Sequence, residues 1–296
     1  MIKILDKLYH NSRIININDK SKYVIMSDCH RGNGDNYDDF LKNQNIFRAA
    51  LNYYYQNGFT YIELGDGDEL WEVKKYDEII NAHLDVFKLL KKYFDEGRLI
   101  MIYGNHDIVK EDCSVLEKYF YTYYDEDSKE KKALLNGLIV EESLVLNYKG
   151  NNIFLLHGHQ VDLISGTFWK MSRFLVRYLW RPLTNVGVND LTSAAKNNQV
   201  SKYVEKKLQN WSKKNNTIVI SGHTHRPIFP KNGDSLYFND GSCIHPNGIT
   251  CLEVDNGCIC LVRWELSVNN QGIIYSERKV LAGKEKIDLF WKTNNM

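Results

Sequence analysis

The chain has 296 residues, 43% of them hydrophobic, which is enough to bury a substantial core as one large domain or two small ones. Lys and Arg number 38 against 37 Asp and Glu, and this balance excludes a chain-wide attraction to nucleic acid or anionic membranes. No signal segment and no long apolar stretch is present, so we expect a soluble cytoplasmic protein. The six cysteines form no Cys-x-x-Cys pair, which favours reduced thiols.

Five short apolar segments predict buried strands, because each is rich in aliphatic residues and closes on Gly, Asp or Asn. In chain order they are Tyr23–Met26, Tyr61–Leu64, Leu99–Ile102, Ile153–Leu156 and Ile218–Ile220. Between the first three segments, hydrophobic residues recur at helical spacing from Phe40 to Tyr54 and from Ile80 to Phe94. This alternation predicts an α/β fold in which loops at the carboxyl ends of strands form the site.

Two regions depart from the alternation. Residues 160–221 are longer than a simple crossover needs, and their helical patterns predict a cap over the site at about residues 162–214. After Pro227, short strands and turns predict a second, largely antiparallel sheet. No repeat or Pro-rich linker divides the chain, so we predict a single domain over residues 1–296 with a helical cap insertion.

The first half of the predicted cap is basic. No acidic residue occurs from Leu163 to Asn189. One helical stripe there carries Lys170, Arg173, Arg177 and Arg181. Of these, Arg173 and Arg177 are candidates for binding substrate phosphates. The neighbouring apolar stripe has two interpretations, packing on its own domain or contact with a lipid tail or membrane interface.

Each predicted strand ends in metal-binding side chains that neighbour glycine. The motifs are Asp28-Cys29-His30, Gly65-Asp66-Gly67-Asp68-Glu69, Gly104-Asn105-His106-Asp107, His157-Gly158-His159 and Gly222-His223-Thr224-His225. Each motif alone is weak evidence, because a single His at a strand end has many structural roles and Gly-Asp is an ordinary turn. Together they suit borderline or hard divalent ions, and two such ions about 3.5–4 Å apart bind phosphate and produce hydroxide. The set therefore predicts phosphoester hydrolysis.

The motif order DxH, GDxxE, GNHD, HGH and GHTH resembles that of the calcineurin-like metallophosphoesterase superfamily over residues 24–227. The resemblance implies an α/β fold of two facing mixed β-sheets flanked by helices, a four-layer sandwich. It also implies two metal ions, Mn²⁺ being expected and Fe²⁺ or Zn²⁺ the alternatives. The implied ligands are Asp28, His30, Asp66 and His225 for one ion, and Asp66, Asn105, His157 and His223 for the other. Asp66 would then bridge the ions.

The same resemblance assigns His106 to protonating the leaving oxygen or stabilising charge on the phosphoryl group. Glu69 matches the acidic partner that orients this histidine. A nearby carboxylate also opposes the repulsion by which two cations disfavour a charged histidine. Asp68 and Asp107 are interpreted as helix-capping or supporting residues, and His159 either lines the pocket or supports a ligand.

Arg31 and Arg226 directly follow presumed ligands and are candidates for binding non-bridging phosphate oxygens. A salt bridge to a local carboxylate such as Asp35 or Asp38 is the alternative. The basic, aromatic cap is similar to the insertion of UDP-2,3-diacylglucosamine hydrolases. This similarity implies a nucleotide-sugar or lipid-linked pyrophosphate as the substrate.

We therefore predict a dinuclear metallophosphoesterase that hydrolyses a phosphomonoester, phosphodiester or pyrophosphate by attack of a metal-bound hydroxide. The expected partner is a phosphorylated small molecule or nucleotide, any membrane or lipid contact is confined to the cap, and no dedicated protein partner is expected. Two other classes stay open. A nuclease acting on single-stranded nucleic acid requires a basic stripe with stacking aromatic residues, which only the cap offers. A catalytically idle, metal-stabilised binding module would show no turnover.

Overall fold

A computed structural model describes residues 2–73, 75–162, 198–231 and 235–292 of the chain. The predicted cap arginines, Arg173 and Arg177, lie outside the described residues. The α-helices in the described ranges are α1 (Ile2–Asn11), α2 (Gln44–Gln56), α3 (Tyr76–Ala82), α4 (Leu84–Asp95), α5 (Cys113–Tyr119), α6 (Asn198–Asn215) and α7 (Ile287–Lys292). Short 3₁₀ helices cover Asp39–Lys42, Ile108–Glu111 and His159–Val161.

The first seven strands are β1 (Arg13–Ile17), β2 (Tyr23–Met26), β3 (Thr60–Leu64), β4 (Leu99–Ile102), β5 (Thr122–Asp125), β6 (Glu130–Ala133) and β7 (Val140–Glu141). The other strands are β8 (Ser143–Tyr148), β9 (Asn151–Leu156), β10 (Ile218–Ser221), β11 (Tyr237–Asn239), β12 (Ile249–Asp255), β13 (Cys258–Val268) and β14 (Ile274–Lys286). They form a five-stranded sheet in the order β1-β8-β9-β10-β11, a seven-stranded sheet in the order β14-β13-β12-β2-β3-β4-β7, and the hairpin β5-β6.

Both large sheets are mixed, as predicted. In the seven-stranded sheet, β2, β3, β4 and β7 run parallel, whereas β12, β13 and β14 are antiparallel. The prediction that the strands after Pro227 form a second sheet of their own was wrong. Strand β12 instead pairs with the open edge of β2, where Leu252 lies opposite Ile25, and so extends the sheet that carries the first motifs.

The two sheets face each other across an aliphatic layer, and helices cover their outer faces. Alternation along β3 shows the arrangement, because Tyr61 points to the helix side while Ile62 and Leu64 point to the other sheet. Helices α2 and α4 cover the seven-stranded sheet, and α1 and α6 cover the five-stranded sheet. The architecture is therefore the four-layer sandwich of mixed sheets and flanking helices that was predicted.

Helix α6 is the described part of the predicted cap. Its buried residues Val204, Leu208 and Trp211 share one face at helical spacing and pack against the outer face of the five-stranded sheet, where Trp211 lies 5.2 Å from Phe154 between ring centroids. This part of the insertion therefore forms a layer of the sandwich. No helix in the described ranges has the length and apolar character needed to cross a membrane.

Candidate metal centre

The five sequence motifs meet at one edge of the sandwich, where β2, β3, β4, β9 and β10 end. Three groups of ligand atoms result, and the atoms within each group lie within 4.8 Å of one another. The groups are Asp28, His30 and His225; Asp66, His157 and His223; and His30, Glu69 and His106. The first two groups contain most of the predicted ligands.

Asp66 occupies the position between the first two groups. Its Oδ2 lies 3.1 Å from His157 Nε2 and 3.8 Å from His30 Nε2. Within the first group, His225 Nε2 lies 2.9 Å from Asp28 Oδ1. Asp66 therefore belongs to the second group and also approaches a side chain of the first.

Hydrogen bonds from outside the groups orient the ligand atoms. Nδ1 of His157 lies 2.9 Å from the carbonyl oxygen of Leu64, and donating a proton there leaves Nε2 with a free lone pair. The backbone N–H of His223 donates to Asp28 Oδ2 at 2.9 Å, and the same oxygen accepts from the Ser27 hydroxyl. These contacts fix one oxygen of Asp28 and leave Oδ1 directed at the imidazoles.

Buried atoms at the centre form no hydrogen bond of good geometry within the described parts of the chain. They include Asp28 Oδ1, Asn105 Oδ1 and His157 Nε2. The nearest contacts of Asp28 Oδ1 and His157 Nε2 are the His225 imidazole and the Asp66 carboxylate, at the distances given above. A buried polar atom without a partner costs about 1–3 kcal/mol, so Asn105 Oδ1 at the same edge indicates that a ligand completes the site. Carboxylate and amide oxygens with imidazole nitrogens suit a borderline or hard divalent cation. The residues present therefore fit the expected metal ions.

The backbone at the motifs is held in an uncommon conformation. Non-glycine residues with φ between 47° and 67° include Asp28, His30, Asp66, His223 and His225. Each left-handed residue costs of order 1–3 kcal/mol and persists only where the surroundings enforce it, as they do in functional sites. Four other described non-glycine residues with positive φ lie in turns away from these motifs.

Glycines beside the ligands make room for them. A Cβ atom on Gly104 would lie 2.1 Å from Asp66 Oδ1, and one on Gly222 would lie 2.2 Å from Ser27 Oγ. Both distances are far below van der Waals contact. The glycines in GNHD and GHTH are therefore required by packing against the carboxylates of the neighbouring motifs.

The structure brings the two predicted catalytic residues into contact. His106 Nδ1 lies 2.8 Å from Glu69 Oε1, while Glu69 Oε2 lies 3.0 Å from His30 Nδ1. Trp71 stacks on the His106 ring at 4.3 Å between centroids and an angle of 23°. Burial lowers the pKa of His106, but the carboxylates of Glu69 and Asp66 outweigh it and raise this pKa above its ordinary value.

Residues 22–257 match the family described as the calcineurin-like phosphoesterase superfamily domain. The chain belongs to this superfamily. No curated protein sequence matches it significantly.

Solved structures similar to this superfamily member include Vps29 from Cryptosporidium parvum, with 13% identity, a TM-score of 0.40, and coverage of 89% of this chain and 98% of that one. A predicted phosphoesterase from Streptococcus pneumoniae TIGR4 has 15% identity, a TM-score of 0.34, and coverage of 88% and 97%. Vps29 complexed with zinc from Entamoeba histolytica has 15% identity, a TM-score of 0.35, and coverage of 88% and 99%.

Arg31 does not line the calcineurin-like centre. Its side chain is fully buried, Nη1 and Nη2 donate to the two carboxylate oxygens of Glu63 at 2.7 and 2.8 Å, and Nε donates to Asp68 at 2.6 Å. This burial contradicts the predicted contact with a substrate phosphate. The alternative of a salt bridge was correct in kind, but its partners come from β3 and the following loop and not from the neighbouring aspartates.

Lys110 extends this pairing to the next loop, although the sequence analysis did not single it out. Its Nζ lies 2.6 Å from Asp68 Oδ2 and donates to Asp107 Oδ2 at 2.8 Å. Asp107 also accepts from the backbone N–H of Gly104 at 2.7 Å, a supporting contact of the kind expected for it. We call Arg31, Glu63, Asp68, Asp107 and Lys110 the buried ion network.

Among the described residues, the other predicted substrate residue is Arg226, and it is accessible. Its side chain is 43% exposed, and Nε lies 3.9 Å from Glu205 Oε1, a distance at which an ion pair is weak. His159 is buried beside His157, with ring centroids 5.6 Å apart. Burial and the neighbouring His157 and His223 hold the pKa of His159 well below its ordinary value.

One contact of the centre had no sequence signal. Asp162 Oδ2 lies 3.2 Å from His223 Nε2, across 61 residues of chain. Asp162 follows a short 3₁₀ helix and belongs to none of the five motifs. Only the folded arrangement brings it to the second ligand group.

Proposed function

We propose that this calcineurin-like protein is a phosphoesterase that binds two divalent metal ions, Mn²⁺ being the first candidate. The observation that carries the proposal is the position of Asp66 close to both groups of ligand atoms, with the His106–Glu69 pair beside them. The residues that would hold the ions are Asp28, His30, Asp66, Asn105, His157, His223 and His225. When bound, two such ions neutralise phosphate charge and lower the pKa of water.

In this proposal the protein fixes the ligand atoms before substrate arrives. Leu64 sets the proton position of His157, and Ser27 with the His223 amide holds Asp28. Pre-organised donors need no rearrangement during the reaction, which is the main electrostatic contribution that an active site makes. The left-handed backbone at five ligands serves the same purpose.

His106 is the proposed proton donor to the leaving oxygen. Because Nδ1 faces Glu69, Nε2 is the ring nitrogen left to face the substrate. Glu69 favours the protonated ring and fixes its orientation, and the stacked indole of Trp71 covers one ring face against water. The His106 side chain is 21% exposed, so it is accessible to a substrate from the solvent side.

For the substrate, we propose that Arg226 binds a non-bridging phosphate oxygen, because it follows the ligand His225 directly and remains accessible. Arg173 and Arg177 are proposed to bind the more distant part of a nucleotide-sugar or lipid-linked pyrophosphate. The absence of acidic residues from position 163 to position 189 supports this second role. Kinetics on a nucleotide-sugar and on a small chromogenic ester, with both cap arginines changed to Gln, would separate remote contacts from the chemistry.

The central test measures metal content and turnover together. We expect purified protein to bind two ions per chain and to hydrolyse p-nitrophenyl phosphate or bis-p-nitrophenyl phosphate in Mn²⁺, with both properties lost in Asp66→Asn. Asp19→Asn, a change at an exposed carboxylate, is the matched control and should retain both. One ion per chain would contradict the bridge. Two ions without turnover on any phosphoester would identify a binding module and overturn the proposed activity.

A further inference from the structure

A cavity of about 1020 Å³ lies between α1, the start of β4 and the segment that precedes β8. None of the proposed metal ligands lines it. Its walls include apolar side chains from all three elements, among them Leu8, Leu99 and Ile139. A largely apolar wall with a few polar groups, at the upper end of the ~300–1,000 Å³ range, is typical of small-molecule sites.

One face of helix α1 packs in the core and another face lines this cavity. On one face, Leu5 is buried against the five-stranded sheet and Asp6 accepts a 2.7 Å hydrogen bond from Trp211 Nε1. The other face places Lys3, Ile4 and Lys7 in the cavity wall. The helix is thus anchored without using these three side chains, which leaves them available to a ligand.

Apolar side chains in the wall are exposed to solvent. Ile139 is 72% exposed and Ile4 is 44% exposed, and they belong to the two elements that face each other across the cavity. Exposed apolar surface gathered in a concave site, in contrast to single exposed residues, marks a place where apolar matter binds. Covering these two isoleucines would remove apolar area from water, which favours binding.

The charge at the rim is positive. Lys3 and Lys7 lie one helical turn apart and form no ion pair with any described residue of the chain. Arg13 is paired with Glu141 at 2.7 Å. Glu142 is the other acid in the wall, and burial raises the pKa of its carboxyl group. Lys3, Lys7 and Arg13 thus carry three positive charges in the wall against the two carboxylates of Glu141 and Glu142, which leaves a net positive charge there.

We propose that this cavity binds a single-chain amphiphile with one anionic head group. The alkyl chain would lie against Ile4, Leu99 and Ile139, and the head group would contact Lys3 and Lys7. A carboxylate and a phosphate share this chemistry, and both satisfy two ammonium groups at the mouth of an apolar cavity. The proposal is independent of the metal centre and of the proposed activity.

The test uses the full chain in EDTA and a fatty acid that carries a terminal dansyl group, whose fluorescence rises on transfer to an apolar site. We expect saturable binding that weakens about tenfold, equal to about 1.4 kcal/mol, in Lys3→Glu/Lys7→Glu and in Ile139→Asp. Lys202→Glu/Lys206→Glu, the same charge reversal at the same spacing on α6, should bind as the unaltered protein does. Circular dichroism establishes that each variant is folded.

Displacement of the probe by other amphiphiles tests which head group the cavity prefers. Dodecanoate and dodecyl phosphate should displace the probe, and their relative affinities identify the preferred anion. Dodecyltrimethylammonium and dodecyl maltoside should displace it at least about tenfold less well, because they lack the negative charge. Equal displacement by the cationic amphiphile, or probe binding unchanged in both cavity variants, would place the probe elsewhere and overturn the proposal.

Discussion

The candidate metal centre and the buried ion network draw on the same loops, and they differ in the groups that face their carboxylates. In the network, both oxygens of Glu63 accept from Arg31, and Lys110 contacts Asp68 and Asp107. In the candidate centre, carboxylates face imidazoles, as Asp28 Oδ1 faces His225 Nε2 at 2.9 Å, and Asn105 Oδ1 is buried without a hydrogen bond among the described residues. Carboxylates therefore have two different uses. In the network permanent cations neutralise them, whereas in the centre they lie beside imidazoles, which are metal ligands when neutral.

His106 and Lys110 offer the sharpest separation, because they are four residues apart and belong to the two different clusters. Changing His106→Ala should lower turnover by roughly 10²–10⁴-fold, as expected for loss of general acid assistance, and leave metal content and unfolding free energy nearly intact. Steady-state kinetics with elemental analysis checks this. Loss of metal in this variant would show that His106 is itself a metal ligand.

Changing Lys110→Met should lower stability and leave metal binding intact. Removing one cation from a buried network leaves carboxylates unpaired, so we expect unfolding free energy to fall by about 3–5 kcal/mol while the remaining folded protein still binds metal. Urea titration measures the loss. Lys91→Met removes an exposed partner of Asp95 and should cost less than about 1 kcal/mol. Equal losses in the two variants would show that the network contributes no more than a surface pair.

We expect added metal ions to stabilise the protein only through the candidate metal centre. A ligand at 100 times its dissociation constant raises unfolding free energy by about 2.7 kcal/mol, and Mn²⁺ should do so in the unaltered protein. The increment should persist in Lys110→Met and vanish in Asp66→Asn or in EDTA. Thermal and urea unfolding with and without Mn²⁺ measure it. An increment retained by Asp66→Asn would place the ion outside the centre.

We expect acid to weaken the buried ion network by protonating Asp68. Burial raises the pKa of Asp68, but Arg31 and Lys110 outweigh it and lower this pKa from 3.8 to about 2. The resulting stability is present above pH 3.8 and is lost as the pH falls towards 2, by an amount on the order of 2 kcal/mol. The advantage of the unaltered protein over Lys110→Met should therefore shrink across this window in urea titrations. A constant advantage from pH 5 to 2 would exclude Asp68 as its source.

Local patterns predicted the α/β alternation and the convergence of the motif residues at one sheet edge, whereas the sandwich of two facing mixed sheets was implied by the resemblance to the metallophosphoesterase superfamily. A strand that ends in Asp or His delivers that residue to the sheet edge, whatever the distant partners are. Arg31 shows the limit. Whether its side chain enters the cleft or the core depends on the left-handed turn at His30 and on Glu63, which lies 32 residues away.

Lys110 and Asp162 were missed for the same reason. Lys110 lies in a short 3₁₀ helix, and a lysine there is ordinarily solvated, so nothing local predicts that it is 2% exposed. The placement of α6 depends in turn on which face of a sheet its apolar stripe covers. Helical periodicity predicts the stripe but not the surface against which it packs.

The left-handed backbone at the proposed ligands lowers folding stability while it fixes the direction of their side chains. At Asp28, His30, Asp66, His223 and His225, glycine would adopt the same φ without the cost of order 1–3 kcal/mol that a side chain adds. In a laboratory evolution campaign scored only by melting temperature, relief of this cost would favour glycine at these positions and would oppose the hydrogen bonds that the side chains form. Wherever the relief prevailed, the sandwich would gain heat resistance and lose a proposed metal ligand.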